Sequence, residues 1–177
     1  MQTTDQLDEI WDIYDDKRQL QGYTKRRGDE LVAGEYHLVI NAVIFNAQRE
    51  ILVQQRSLRK LKFPGIWEPL AGGSALAGET SVAAMQREVR EELGVVLPFS
   101  PADYVMTFVG ENWFDDVYAV QFDGELADFT RQESEVAALK FMNFDDVVAL
   151  MAEQKMGHYD EILQPAYDHV FGAKKEQ

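Results

Sequence analysis

Cysteine is absent from all 177 residues, which removes disulfides, thiolate zinc sites and cysteine nucleophiles together. Proline numbers only five and glycine twelve, so neither a collagen-like nor a low-complexity chain is in view. No uninterrupted apolar run approaches the roughly 20 residues of a membrane span. The opening MQTTDQLDEI has neither the basic nor the apolar region of a secretory signal. A soluble, cytoplasmic protein with no membrane partner is the expectation. Positive charge is scarce as well: 17 Lys and Arg against 31 Asp and Glu give a net charge of -14. That balance argues against nucleic-acid binding, which needs a surplus of cations at the contact. An anionic substrate would meet long-range repulsion unless a basic loop or bound cations offset it.

The composition that is present, 46% hydrophobic and 11% aromatic, suits one globular domain over residues 1–177. Residues 9–14 (EIWDIY) and 19–25 predict an N-terminal hairpin, with DDKR as its turn. Residues 36–45 and 50–56 predict a second hairpin, followed by a basic loop, SLRKLKFPG. A short strand over 66–70 leads to Gly72 and Gly73. Residues 81–93 predict a helix with Val82, Met85, Val89 and Leu93 as its apolar stripe and Gly94 as its stop. Strands at 103–110 and 116–122 form a hairpin around ENWFD, and 136–142 is a further strand. Asn143 caps a helix over 145–154, and 159–171 forms a last helix with a potential kink at Pro165. Paired strands with helices between and after them predict an α/β protein with a mixed sheet covered by helices.

The stretch GGSALAGETSVAAMQREVREELGV carries the chemistry. On a helix Glu88, Glu91 and Glu92 occupy i, i+3 and i+4, so their carboxylates share one edge. Like charges at that spacing repel and call for compensation. Mg2+ or Mn2+ would supply it, because hard divalent cations take carboxylate and phosphate oxygens. A solvated acidic face neutralised by Arg87 and Arg90 would satisfy the same residues.

The register decides between them. Gly73, Glu79, Arg87, Glu88, Glu91, Glu92 and Gly94 fall at the spacing of the Nudix box over residues 73–95, and this stretch resembles it at every fixed position. The segments WDIYDDKRQLQG, GEYHLVINAVIFN and ILVQQRSLRKLKFPGIWEPLAGG resemble the branch of that superfamily that includes isopentenyl-diphosphate isomerases. The resemblance implies a Nudix-type α/β/α sandwich and a hydrolase that cleaves a nucleoside diphosphate linked to a second group, or a related small-molecule diphosphate. It implies Glu88, Glu91 and Glu92, with the Gly73 carbonyl, as ligands of Mg2+ or Mn2+, and Arg87 and Glu79 as residues that orient the helix and its loop. Homodimers are common in that family.

Arg56, Arg59, Lys60 and Lys62 are candidates for phosphate contact, and a solvated basic loop is the alternative reading of them. The general base is expected among Glu91, Glu133 and Glu135. His37, His158 and His169 have no spacing that makes a metal site and read as structural. Trp67, Trp113 and Tyr118 could stack on a base or fill the core, and burial is the default reading. Two other functions are weighed. Isomerisation of an isopentenyl diphosphate in the related branch uses a cysteine and nearby histidines before the box, where this chain has EPLAGGSA. A nucleotide sensor would carry a degenerate box and an effector domain, whereas this box is intact and the chain leaves little room for one.

Overall fold

The computed structural model describes residues 8–172. The strands are β1 (Ile10–Tyr14), β2 (Leu20–Arg26), β3 (His37–Asn46), β4 (Ile51–Arg56), β5 (Trp67–Glu68) and β6 (Ala71–Ser74), then β7 (Tyr104–Val109), β8 (Trp113–Phe122) and β9 (Val136–Met142). The helices are α1 (Ser81–Leu93), α2 (Phe144–Ala152) and α3 (Asp160–Phe171). β1 and β2 form a separate hairpin, and the other seven strands make one mixed sheet. β3 at its centre runs parallel to β8 from His37↔Trp113 to Asn46↔Phe122.

Alternation along β3 and β8 sorts the core into two layers. Leu38, Ile40, Ala42, Ile44, Phe114 and Tyr118 face α1, whose Ala84, Met85, Val89 and Leu93 are fully buried. Burial of each large side chain in that stripe stabilises the fold by about 1.5–3 kcal/mol. Val43, Phe45, Val117 and Ala119 face the opposite way, against Val147 and Met151 of α2 and Leu163 and Ala166 of α3. The result is the expected α/β/α sandwich.

Helix α1 has the predicted bounds because both ends are chemically marked. The Thr80 side chain accepts the Ala83 N–H, and Gly94 takes the left-handed conformation at φ 69°. A side chain at 94 would also come within 2.6 Å of the Thr130 carbonyl oxygen. Asn143 caps α2 as predicted, by accepting the Asp146 N–H, and Pro165 lies inside α3.

Three expectations need correction. The hairpin of β3 and β4 is brief: Phe45↔Ile51 is their register pair, after which β4 leaves to pair with β9 and β3 pairs with β6. Gly72 and Gly73, placed after a strand over 66–70, are themselves strand residues opposite Asn41 and Ile40. At Gly72 any Cβ would lie 2.0 Å from the Ile40 carbonyl oxygen, so only glycine permits this close pairing. Within ENWFD, Trp113 to Asp115 already belong to β8, because the parallel ladder to β3 begins at Trp113.

The β1–β2 hairpin is attached to the sheet at several points. Tyr14 and Tyr36 exchange backbone hydrogen bonds at 2.8 and 2.9 Å. The Ala77 N–H donates to the Ile10 carbonyl at 2.8 Å, and the Gly78 N–H to the Asp12 carboxylate at 2.6 Å. The turn residue Arg18 reaches buried Asp116 of β8. Among the described residues no helix is long and apolar enough to cross a membrane.

Candidate active site

Arg87 organises the segment from Gly73 to Leu93. Its Nε and Nη2 donate to the two oxygens of Glu79 at 2.8 and 2.9 Å, and Nη2 also donates to the Ser74 carbonyl at 3.0 Å. Nη1 donates to Glu88 at 2.8 Å and to Glu91 at 3.2 Å. A guanidinium has five N–H groups, and each is matched by one of these bonds. The loop before α1 is thereby clamped to the helix, a pairing that raises the Arg87 pKa. Burial works to raise that of Glu79, but the Arg87 hydrogen bonds outweigh it and hold Glu79 below its ordinary value.

Beside this clamp lies a cleft of about 290 Å³. Gly72, Gly73, Glu88, Glu91 and Glu92 line it from the box, and Arg56, Lys60 and Glu135 from outside the box. Burial pushes the Glu88 carboxyl up to about 7 despite Arg87, and Glu91 and Glu9 add to the rise. Burial also holds Glu92 well above the usual carboxylate range, with Glu88 and Glu68 adding repulsion. The Gly72 N–H donates to Glu92 at 3.2 Å. A Cβ at position 73 would lie 2.6 Å from a Glu88 oxygen, so glycine keeps the backbone against that carboxylate.

The box glutamates do not meet at a point. Among the described residues no three His, Asp or Glu side chains are grouped closely enough to hold a metal ion. Arg87 stands between Glu88 and Glu91, and the Glu91 side chain is 47% exposed. The donor set nevertheless fits a hard divalent cation: it is all oxygen, partly desolvated, mutually repelling, and backed by a glycine carbonyl strand.

The basic loop divides. Arg56 donates to Glu68 at 3.0 Å and to the Lys62 carbonyl at 3.1 Å, and it reaches the cleft. Lys60 pairs with Glu135 in the cleft. Lys62 lies on an adjoining pocket, and Arg59 is exposed and lines neither cavity. Of the loop carboxylates, Glu135 stands in the cleft, while the Glu133 side chain is 84% exposed beside Arg131. Three further cleft residues, Glu9, Arg27 and Gln132, escape sequence reasoning. The first two flank the open end of the N-terminal hairpin, just beyond the Ile10↔Arg26 pair, and meet through Arg27 Nη1 donating to Glu9 at 3.0 Å. No spacing in the sequence announces that pair.

The histidines and aromatics also divide. His158 and His169 are exposed. His37 stacks on Trp11 at 4.0 Å, and its Nδ1 is buried without a hydrogen-bond partner. Tyr118 is buried at 3% exposure, but Trp113 is 42% exposed, contrary to the core reading. It sits at the start of β8, four register pairs before Val117, beyond the part of the sheet that α2 and α3 cover.

Burial lowers the His37 pKa to about 4, helped by the Arg27 and Lys62 charges. The unfolded chain binds this proton from about pH 6.5 downward and the folded chain only near 4, so His37 costs stability as pH falls between them. Glu88, raised to about 7, slopes the other way. The measurable quantity is therefore the difference between the wild type and His37→Phe, which keeps the ring on Trp11. From pH 7 to pH 4 the wild type should lose about 3 kcal/mol relative to the variant in urea melts. Parallel curves would exclude a buried neutral His37.

Residues 35–163 match the NUDIX domain family. The uncharacterized Nudix hydrolase lmo0368 of Listeria monocytogenes is 41% identical over 142 residues, covering 80% of this chain and 84% of that protein. An isopentenyl-diphosphate Delta-isomerase of Citrobacter koseri is 40% identical over a shorter 76 residues, 43% of this chain and 40% of that one. Among solved structures, DR0079 from Deinococcus radiodurans superposes with a TM-score of 0.67 at 23% identity, over 82% of this chain and 90% of that chain. That last likeness concerns the fold alone.

Proposed function

Because the chain belongs to the Nudix hydrolase family, we propose that its cleft hydrolyses a diphosphate linkage in a small organic diphosphate, such as a nucleoside diphosphate joined to a second group, with Mg2+ or Mn2+ as cofactor. The observation that carries this reading is the juxtaposition in one cleft of Glu88, Glu91, Glu92 and Gly73 with the cations Arg56 and Lys60. Glu88, Glu91, Glu92 and the Gly73 carbonyl would hold the cation. When bound, it supplies screening of the phosphate charge and polarisation of a phosphoryl oxygen.

The chain's own residues do the rest. Arg56 and Lys60 offset the net charge of -14 where the anion must bind. Arg87, fixed by Glu79, keeps α1 and the glycine strand in register, so the carboxylates are preorganised. Glu135 is the base of choice, since it stands in the cleft near enough to Glu92 to raise its pKa, whereas Glu133 faces solvent and Glu91, also in the cleft, is paired with Arg87. It takes one proton from water as the water oxygen attacks phosphorus. The bridging P–O bond breaks, and the leaving phosphate departs with the bridging oxygen. The isomerase reading finds less support: the chain has no cysteine, His158 and His169 are exposed, and His37 lies on the adjoining pocket rather than in this cleft.

The test is a panel of nucleoside diphosphates and triphosphates, nucleotide sugars, dinucleotide cofactors and isoprenoid diphosphates, assayed with Mg2+ or Mn2+ for release of phosphate or a monophosphate. Turnover of at least one member, abolished by a chelator, is expected. Tight binding of one member without turnover of any would replace the hydrolase by a sensor.

A further inference from the structure

Along β4 the alternating residues Leu52, Gln54 and Arg56 carry one face of the sheet from the core under α1 to the cleft. Leu52 belongs to that core, Gln54 is buried at 5% exposure, and Arg56 lines the cleft. Glu68 of β5 is the register partner of Gln54. Its Oε1 accepts from Gln54 Nε2 at 3.1 Å and from Arg56 Nη1 at 3.0 Å, yet Glu68 lines neither the cleft nor the adjoining pocket. We propose that Glu68 is a positioning residue: from behind the wall of the cleft it fixes the Arg56 guanidinium in the orientation that meets the diphosphate, without touching the substrate itself. This rests on the reading that the cleft takes the diphosphate.

The guanidinium is held from two directions. Nε donates to the Lys62 carbonyl at 3.1 Å and Nη1 to Glu68, so one backbone and one side-chain acceptor together define the plane of the fork. Without Glu68 a single hydrogen bond remains, and the group can turn about it. Glu68 in turn is fixed by its strand. The Trp67 N–H donates to the Lys155 carbonyl at 3.2 Å, and the Lys140 ammonium lies 4.3 Å from the centre of the Trp67 ring. Gln54 Nε2 also donates to the Leu70 carbonyl at 2.8 Å, which ties β4 to the end of the same segment. The strand is thus anchored without the ion pair.

A purely structural ion pair is the competing account. Burial pushes the Glu68 carboxyl above its ordinary value, with Arg56, Gln54 and Lys60 working against that rise, so the fold keeps a charge here against its desolvation. An apolar residue of similar size often stabilises a protein as much as such a pair does. Leucine suits this face, since Leu52 and Leu139, the latter opposite Gln54, already pack there. What the carboxylate adds is direction. An arginine fixed before the anion arrives loses less freedom when it binds.

The test is calorimetry with methylenediphosphonate, a diphosphate analogue without a cleavable bridging oxygen, at saturating Mg2+. The proteins compared are the wild type, Glu68→Leu, Arg56→Ala and the double variant. Glu68→Leu should bind this probe about tenfold more weakly, the scale of one charge-assisted hydrogen bond, and yet melt at or above the wild-type temperature. Added to Arg56→Ala, it should weaken binding no further, because its effect passes through that arginine. Glu68→Gln, which keeps the shape and one acceptor for Nη1, should fall between leucine and the wild type, and it carries the same comparison if leucine is not tolerated. With the best substrate of the hydrolysis panel, KM should rise while kcat stays unchanged. Undiminished affinity in both Glu68 variants, losses that add in the double variant, or a melting temperature that falls together with affinity would each overturn the inference and leave the hydrolase reading intact. A wild type that does not bind the probe would overturn the diphosphate reading first, and this inference with it.

Discussion

Glu92→Gln is expected to lower kcat on the best diphosphate substrate by about a hundredfold or more, the scale seen when one charge-stabilising group is removed from a water-excluded site. The reason lies in the cost at which the carboxylate is kept. Burial and the neighbouring Glu88 and Glu68 hold Glu92 well above the usual carboxylate range, so ionising it in the metal-free protein is unfavourable. A carboxylate so placed is useful if a cation arrives to restore its charge. Glutamine keeps the shape and can still accept the Gly72 N–H, but it carries no charge. The sign of the stability change is then opposite to that of the activity change. A group with a raised folded pKa loses stability as pH rises through that value, so at neutral pH and without divalent ions the variant should melt at a higher temperature than the wild type. It should also lose most of the thermal stabilisation that Mg2+ or Mn2+ gives the wild type. Unchanged turnover would remove Glu92 from the site. Loss of turnover with an undiminished metal-dependent shift would move it from ligand to a purely structural residue.

How much of this was readable in the chain depends on the range over which each feature is encoded. Helix α1 was legible to the residue because its apolar stripe and its terminal glycine form one short local pattern from Val82 to Gly94. The box glutamates were legible for the same reason, as a local register. The strand role of Gly72 and Gly73 was not, because glycines ordinarily signal turns, and here their smallness serves close pairing with Asn41 and Ile40. The rest of the cleft comes from chain segments far apart. Glu9 and Arg27 meet across the N-terminal hairpin, and Glu135 arrives from the loop whose Gln132 N–H donates to the Glu92 carbonyl at 2.8 Å. Composition hinted at a basic loop but could not say that Arg56 and Lys60 turn inward while Arg59 turns out. Side-chain direction there depends on the partners Glu68 and Glu135, which lie 12 and 75 residues away. One signal was available and subtle. In FDDVYAV the inward alternation of Phe114 and Tyr118 places Asp116 among core positions, and a carboxylate there requires a cation from elsewhere.

That cation is Arg18, and its removal should be the most destabilising single change outside the sandwich core. Asp116 is 2% exposed. It accepts from Ser81 Oγ and Thr107 Oγ1, each at 2.6 Å, and from both terminal nitrogens of Arg18, one at 2.7 Å. The arginine and the two hydroxyls outweigh burial and hold the Asp116 pKa below its ordinary value. A depressed carboxylate gives its full stabilisation at neutral pH and loses it as pH falls from the unfolded value through the folded one. Arg18→Ala leaves the buried charge with two neutral donors, a loss of about 1–3 kcal/mol, below that of a fully buried pair because those donors remain and Arg18 itself is 37% exposed. In urea melts at pH 7 the double variant Arg18→Ala with Asp116→Asn should recover part of that loss, since the stranded charge is gone. Additive single effects would mean that the pair contributes no coupling. The consequence extends to the site. A two-stranded hairpin is barely stable alone, and the turn that carries Arg18 is one of the points that press β1 and β2 onto the sheet. That hairpin supplies Arg27 to the cleft, with Glu9 beside it. Hydrogen exchange of the β1 and β2 amides should therefore accelerate in Arg18→Ala, and KM should rise more than kcat falls. A variant with faster exchange and an unaltered KM would separate the hairpin from substrate binding and leave it a purely structural appendage.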